Sequence, residues 1–250
     1  MTKIKDEIDI IWNSCWELMN KTYYYLRPKN RKRLQSFKNK HQGKRCFIIG
    51  NGPSLNYTDL EHLKDDVVMV SNSFIKVLDK LSYTPTYYFA QDASVVKDNI
   101  QYIRETNNIT RFIYSYYNKR YHAKGTINYT TKKQMVGFSD DIVKGVYGGW
   151  TVTYSMIQFA VYMGFSEIYL LGVDFNYAKD NTEINSDCYF DNKLYNPNRH
   201  YALPKTDISF AAFAKSREYC EKHGISIFNA TRGGKLEIFE RIDFDKLFHS

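Results

Sequence analysis

From Lys44 onward, short apolar runs alternate with segments whose apolar residues recur every three or four positions, the patterns of buried strands and of helices. Arg45-Cys46-Phe47-Ile48-Ile49 predicts a strand that empties into Gly50-Asn51-Gly52-Pro53-Ser54-Leu55. Val67–Asn72, Tyr87–Asp92 and Arg111–Ser115 repeat that layout, an apolar run ending in polar residues. Thr151–Met163 holds no charged residue and predicts a helix buried on most sides, stopped by Gly164. Ile168–Asp174 predicts the central strand, Asp207–His223 a second helix ending at Gly224, and Ile225–Asn229 the strand that closes the sheet. This alternation predicts an α/β fold, Rossmann-like, with a mostly parallel sheet and helices on both faces.

Two segments stand outside that alternation. Ile8, Ile11, Trp12, Cys15, Met19 and Tyr23 form one stripe of a helix over Asp6–Leu26, and a basic stretch from Arg27 to Arg45 follows. An amphipathic helix beside a polybasic segment fits either an anionic leaflet, with peripheral contact through residues 4–45, or a docked position on the rest of the chain or on a partner subunit. The chain therefore divides into an N-terminal helix and basic linker over 1–43 and a main domain over 44–250. Within that domain, the polar, aperiodic stretch at about 176–206 is too long for an ordinary connection and reads as a lid over the ligand edge of the sheet.

Composition narrows the partners. A length of 250 residues supports one α/β domain with a substantial core. The net charge of +8 points to an anionic partner: a nucleotide-activated substrate, an acidic glycan or a membrane surface, rather than nucleic acid. Twenty-two tyrosines suit sugar and base contacts as well as a tyrosine-rich core. The four cysteines lack CxxC spacing, which argues against a zinc site or a disulfide framework and for reduced thiols in the cytoplasm. Asp6, Glu7 and Asp9 interrupt the first apolar stretch, and no run reaches membrane-spanning length. A cytoplasmic protein is expected, free or on the inner face of the cytoplasmic membrane.

The candidate chemistry lies at the strand ends. Two glycines in Gly50-Asn51-Gly52 let the chain bend and offer N–H groups to a ligand, while Pro53 and Ser54 suit the first turn of a helix. That is the layout of a nucleotide site, although the third glycine of the dinucleotide fingerprint and the Gly-Lys-Ser/Thr of the P-loop are both missing. In a parallel sheet, Asn72, Gln91, Asp92, Gly172 and Asp174 gather on the same edge, and Thr151 opens the buried helix beside them. With Gly50, Asn51, Gly52 and Ser54 they form the expected nucleotide-binding set. Asp243-Phe244-Asp245 and Ser139-Asp140-Asp141 lie away from core strand ends, so metal-independent chemistry without a resident cofactor is expected. His200, late in the lid, is the candidate general base.

These motifs carry a resemblance. Ile49-Gly50-Asn51-Gly52-Pro53-Ser54-Leu55 resembles the opening of the small bacterial CMP-sialic-acid-dependent sialyltransferases, and Gly164–Phe175 is similar to their central strand. Arg199-His200-Tyr201 with Lys205–Ile208 looks like their histidine segment, whose own base falls a few residues later, near Leu203 and Pro204. Asn229–Leu236 looks more like the wider superfamily, which includes flagellin-modifying glycosyltransferases and hydroxymethylpterin pyrophosphokinase-like proteins. The resemblance covers about Lys44 to Phe244. It implies that Asn51, Asn72 and Gln91 hold CMP and that Tyr189, with Tyr177 if the loop shifts by one residue, binds the leaving phosphate. Gly149 stands where those enzymes carry an arginine. The implied activity is inverting transfer of an acidic sugar such as sialic acid from a CMP-activated donor to a bacterial surface glycan, by a homo-oligomer. Two other readings stay open: a Mg²⁺-dependent pyrophosphokinase-like phosphotransferase using Asp92 and Asp174, and a non-catalytic nucleotide-binding scaffold.

Overall fold

Strand β1 (Arg45–Ile49) sits mid-sheet, with β2 (Val67–Ser71) parallel on one side and β6 (Glu167–Leu171) parallel on the other. The computed structural model describes residues 27–115, 123–178, 180, 182–199 and 201–248, and eight strands among them form one sheet. Beyond β2 lie β3 (Tyr87–Ala90), β4 (Thr110–Tyr114) and β5 (Ile127–Tyr129); beyond β6 lie β7 (Ser226–Asn229) and β8 (Glu240–Arg241). The order is β5-β4-β3-β2-β1-β6-β7-β8, parallel throughout. The Rossmann-like α/β class is therefore observed. Ile225–Asn229 does not close the sheet, however, because β8 pairs outside it through Phe228 and Asn229. At three and two residues, β5 and β8 are too short to show a periodicity in the sequence.

Alternate residues of each strand point to two separate cores. Cys46, Ile48, Met69 and Phe112 pack on the face covered by α4 (Val152–Tyr162) and α5 (Thr206–Lys222). Phe47, Ile49, Val68 and Val70 pack on the face covered by α2 (Tyr57–Glu61), a 3-10 helix at Asn72–Lys80 and α3 (Ala93–Glu105). The uncharged run predicted as a buried helix is α4, in which only Val161 escapes full burial. The expected amphipathic helix at Asp6–Leu26 lies outside the described residues. No helix among the described residues is long and apolar enough to cross a membrane.

The basic stretch after it, expected as a linker, forms helix α1 (Pro28–Gln35) and docks at the β5 edge. Asn30 Nδ2 donates to the Asn128 carbonyl at 2.7 Å, and the Asn128 N–H donates to Asn30 Oδ1 at 2.8 Å. One side-chain amide thus completes the ladder of the edge strand, and Arg33 adds bonds to the Gly125 and Thr126 carbonyls. An edge that would otherwise present open backbone is covered. The N–H groups of Asn39, His41 and Gly43 then donate to the Tyr162, Met163 and Gly164 carbonyls, which the end of α4 leaves without helical partners. Asn30→Ala should lower stability by about 1–3 kcal/mol, because it removes two hydrogen bonds to the buried backbone of Asn128. Urea denaturation measures this, and a loss below about 0.5 kcal/mol would show that the edge does not depend on the amide.

Candidate active site

The strand order reverses at β1: the chain builds outward through β2 to β5, then returns to place β6 on the other flank. A crevice outside the carboxyl ends of β1 and β6 is the expected consequence. The structure holds a cavity of about 660 Å³ there, lined by the ends of β1, β2, β3 and β6 and by residues of the 176–204 segment. Of the residues expected from the sequence, Gly50, Asn51, Gly52, Asn72, Gln91, Asp92, Thr151, Gly172, Asp174, Tyr177 and Tyr189 line it. Ser54 does not, and His200 lies outside the described residues.

The glycines of the first turn serve the sheet rather than a ligand. A Cβ on Gly50 would sit 2.1 Å from the Gly172 carbonyl oxygen, and one on Gly52 would meet Asp174 Oδ2 at 1.8 Å. The Gly50 N–H donates to Leu171 O at 2.8 Å and the Gly52 N–H to Gly172 O at 3.0 Å. Those N–H groups are therefore occupied, which corrects the expectation that they face a phosphate. The helix expected at Pro53 begins only at Tyr57, where the Asn56 side chain caps it through Asp59 N–H. Ser54 Oγ donates to Asp174 Oδ2 at 2.8 Å, so Ser54 braces the carboxylate from behind.

Side chains, not backbone, thus present the chemistry. Asn51 donates from Nδ2 to Ser71 O at 3.3 Å, while its Oδ1 is buried without a hydrogen-bond partner. Gln91 is held on both sides: Oε1 accepts from Ser155 and Tyr129, and Nε2 donates to Gly148 O. Asp92 Oδ1 accepts from the N–H groups of Ser94 and Val95, capping α3. Burial raises the Asp174 carboxyl above its ordinary range, against the opposing bonds from Ser54. Among the described residues, four non-glycine residues have positive φ, and three of these, Asn72, Trp150 and Phe175, line the cavity. For Trp and Phe that backbone is strained, and such strain concentrates at functional sites.

The segment read as a lid is fastened along its later half. Tyr57 and Lys80 both donate to Asp191, and the Phe190 N–H donates to Asn51 O at 3.3 Å. Burial alone would raise the Asp191 carboxyl, but the bonds from Lys80 and Tyr57 hold it below its usual value. Leu194 is fully buried. Burial beside Tyr201 pushes the Tyr189 phenol up, so it remains a proton-bearing donor at neutral pH. Tyr177 stands at the rim, 40% exposed.

Sequence reasoning missed the groups that brace this floor from the loop after β7. Thr231 Oγ1 accepts from the Val173 N–H at 3.1 Å, and a Cβ on Gly234 would strike the Asp174 backbone at 2.7 Å. The carboxylates set aside as metal ligands lie elsewhere: Asp245 pairs with Arg232, and Asp140 accepts from Tyr219. Among the described residues, no group of three or more His, Cys, Asp or Glu is placed to hold a metal ion.

Fold and cleft together define a doubly wound, all-parallel α/β protein with its cavity at the topological switch point. A family model described as 6-hydroxymethylpterin diphosphokinase MptE-like matches residues 18–180, and the chain belongs to that family. The family falls within the superfamily to which the motifs pointed. No curated protein matches the sequence. Among solved structures, the MAf glycosyltransferase from Magnetospirillum magneticum AMB-1 is similar with a TM-score of 0.56 at 16% identity. That match covers 83% of this chain and 35% of the other, so this chain spans about a third of its length. The sialyltransferase CstII from Campylobacter jejuni, in complex with cytidine-5'-monophosphate, is similar at 16% identity with a TM-score of 0.48, covering 80% of this chain and 85% of that one. Its complex with CMP-3FNeuAc gives 20% identity and a TM-score of 0.45 over the same shares. At these identities the likeness concerns the fold.

The glycine reading has a direct test. Gly50→Ala should cost at least about 2 kcal/mol, because its Cβ meets backbone that cannot move aside. Gly224→Ala, at φ +68° with nothing within 4 Å, should cost about 1 kcal/mol from backbone conformation alone. Equal losses in thermal or urea unfolding would remove the strand contact as the reason for Gly50.

Proposed function

We propose that this chain is a glycosyltransferase-type enzyme that holds a CMP-activated acidic sugar in the switch-point cavity and passes the sugar to a glycan hydroxyl with inversion. The observation that carries the reading is Asn51 Oδ1, a buried acceptor without a partner in the cavity wall. Such an oxygen calls for an N–H or O–H from a ligand, as a cytosine amine or a ribose hydroxyl provides. Support also comes from Tyr189, a protonated phenol on the opposite wall, suited to a departing phosphate. In this reading His200 takes the proton of the acceptor hydroxyl as that oxygen attacks the anomeric carbon. The bond from that carbon to the phosphate oxygen breaks, and CMP leaves with both electrons. The phosphate is a good leaving group, so the reading needs no resident metal or cofactor. A placement in the cytoplasm or on its membrane face, and assembly into a homo-oligomer, belong to the same reading.

A second reading has its own support. The family match spans both Asp92 and Asp174, the carboxylates that a Mg²⁺-dependent diphosphokinase-like enzyme would require. Each already accepts a structural hydrogen bond, Asp92 through Oδ1 and Asp174 through Oδ2. A cation held by this pair would take its remaining positions from substrate phosphates and water.

Calorimetric titration with CMP, CDP, UDP and ATP, with and without Mg²⁺, separates these readings. CMP binding that survives chelation is expected. ATP binding that requires Mg²⁺ would favour the diphosphokinase, and no nucleotide binding at all would favour a scaffold. Asn51→Ala should weaken CMP binding by about tenfold, and an unchanged dissociation constant would count against the site. Tyr189→Phe should lower kcat about 10- to 100-fold with CMP affinity nearly kept, as for a donor that acts on the developing phosphate charge. Undiminished turnover would take Tyr189 out of the mechanism.

A further inference from the structure

Among the described residues that line the cavity, Arg199 is the one with a positive charge, and its surroundings fix its orientation. Its side chain is 4% exposed. Nε donates to Asp98 Oδ2 at 2.5 Å, and Nη2 donates to Ser73 Oγ at 3.1 Å. Asn196 Nδ2 donates to the same Asp98 oxygen at 3.0 Å, so the carboxylate that orients the guanidinium is itself held. The guanidinium carbon lies 5.2 Å from the Tyr201 ring centroid. The Tyr201 hydroxyl in turn accepts from the Asn196 N–H at 2.9 Å.

Among the described residues Nη1 has no hydrogen-bond partner, and Arg199 lines the cavity. A guanidinium this deeply buried is costly to keep unless its donors are met. Lys76 lies near enough to feel Arg199, and Asp98 is the carboxylate these two cations share. Arg199 is thus the cation available to an anionic group in the cavity, whose other charged lining residues are Asp92 and Asp174.

We propose that Arg199 is the anion anchor of the cleft: Nη1 donates to a non-bridging phosphate oxygen of the nucleotide donor, with Asp98 and Ser73 setting the plane of the guanidinium. A sugar nucleotide joined through a phosphodiester carries a negative charge at that group, opposite in sign to the guanidinium. The proposal rests on the nucleotide reading above and adds the residue that recognises the phosphate. The contact is made before the sugar leaves as well as after, so Arg199 acts on binding more than on turnover.

The test compares CMP with cytidine, the nucleoside without the phosphate, by calorimetry on the full chain. Wild-type protein should bind CMP more tightly than cytidine. Arg199→Gln should lose about 10- to 100-fold in CMP affinity while cytidine affinity stays within about twofold. Because that variant strips Asp98 of its partner, the paired variant Asp98→Asn/Arg199→Gln, which removes both charges, serves if the single one does not fold. Unchanged CMP affinity in either folded variant overturns the proposal. A loss falling equally on CMP and cytidine also overturns it, since that marks damage to the wall rather than a lost phosphate contact. Wild-type protein that binds neither ligand would instead fail the nucleotide reading itself, and the anchor with it.

Discussion

The close approach of the ends of β1 and β6 governs the rest of this structure. At Gly50 the two backbones come so close that a Cβ would sit 2.1 Å from the Gly172 carbonyl oxygen, and Gly52 lets the Asp174 carboxylate lie against the turn. Parallel strands ordinarily diverge where the order reverses, and that divergence makes the crevice. Here the floor of the crevice is drawn shut by the N–H bonds of Gly50 and Gly52 to the opposite strand. A chemical consequence follows. Nests of free N–H groups bind phosphate in many nucleotide folds, but the bonds of Gly50 and Gly52 leave little such material here. In the proposed reading, recognition therefore falls to side chains around the closed floor: the amide oxygen of Asn51, the phenol of Tyr189 and the guanidinium of Arg199.

The strained backbone of the rim belongs to the same design. Asn72, Trp150 and Phe175 hold left-handed conformations, each disfavoured by roughly 1–2 kcal/mol for a residue with a side chain. Neighbours over-determine at least two of them. Tyr88 donates its hydroxyl to the Asn72 carbonyl at 2.9 Å, and Trp150 Nε1 donates to Leu203 O at 3.3 Å. Each strained residue follows the end of a strand or precedes a helix, where a left-handed step turns the chain sharply and keeps it close to the cavity. Stability is given up there in return for a wall whose side chains are placed by backbone direction.

The sheet was legible in the sequence because parallel strands buried on both faces read as unbroken apolar runs. β1, β2, β3, β4, β6 and β7 all fall on such runs, and α4 on an uncharged one. β5 and β8 escaped because two or three residues carry no period, and α1 because its buried contacts are one amide and one leucine amid basic residues. At the site, position was legible while role was not. The strand-end rule placed Asn51, Asn72, Gln91 and Asp174 at the cavity. It said nothing of which backbone lies beside Gly50, so a glycine turn shaped by β6 passed for a phosphate cradle. Arg199 was visible only as the neighbour of His200, because its partner Asp98 lies 101 residues earlier and on another element.

That long-range pairing explains how an aperiodic segment makes a fixed wall. Between Tyr189 and Arg199 the segment is tied to the α2, 3-10 and α3 side of the molecule by two partly buried carboxylates. Asp191 accepts from Tyr57 and Lys80, and Asp98 from Asn196 and Arg199. Each is a charge largely removed from water, and such groups are stable only when several donors meet them at once. Loss of one donor therefore leaves its carboxylate less well met and loosens that tie. In contrast, the described residues between Asp180 and Asp187 bond mainly to their immediate neighbours, as Asp180 does to Thr182 and Asn185 to Asp187. The segment thus divides into a wall anchored to the opposite face of the sheet and a rim tied only to itself. Tyr189 and Arg199 fall on the anchored part, which suits the preorganised phosphate contact proposed for them, and Tyr177 falls before it.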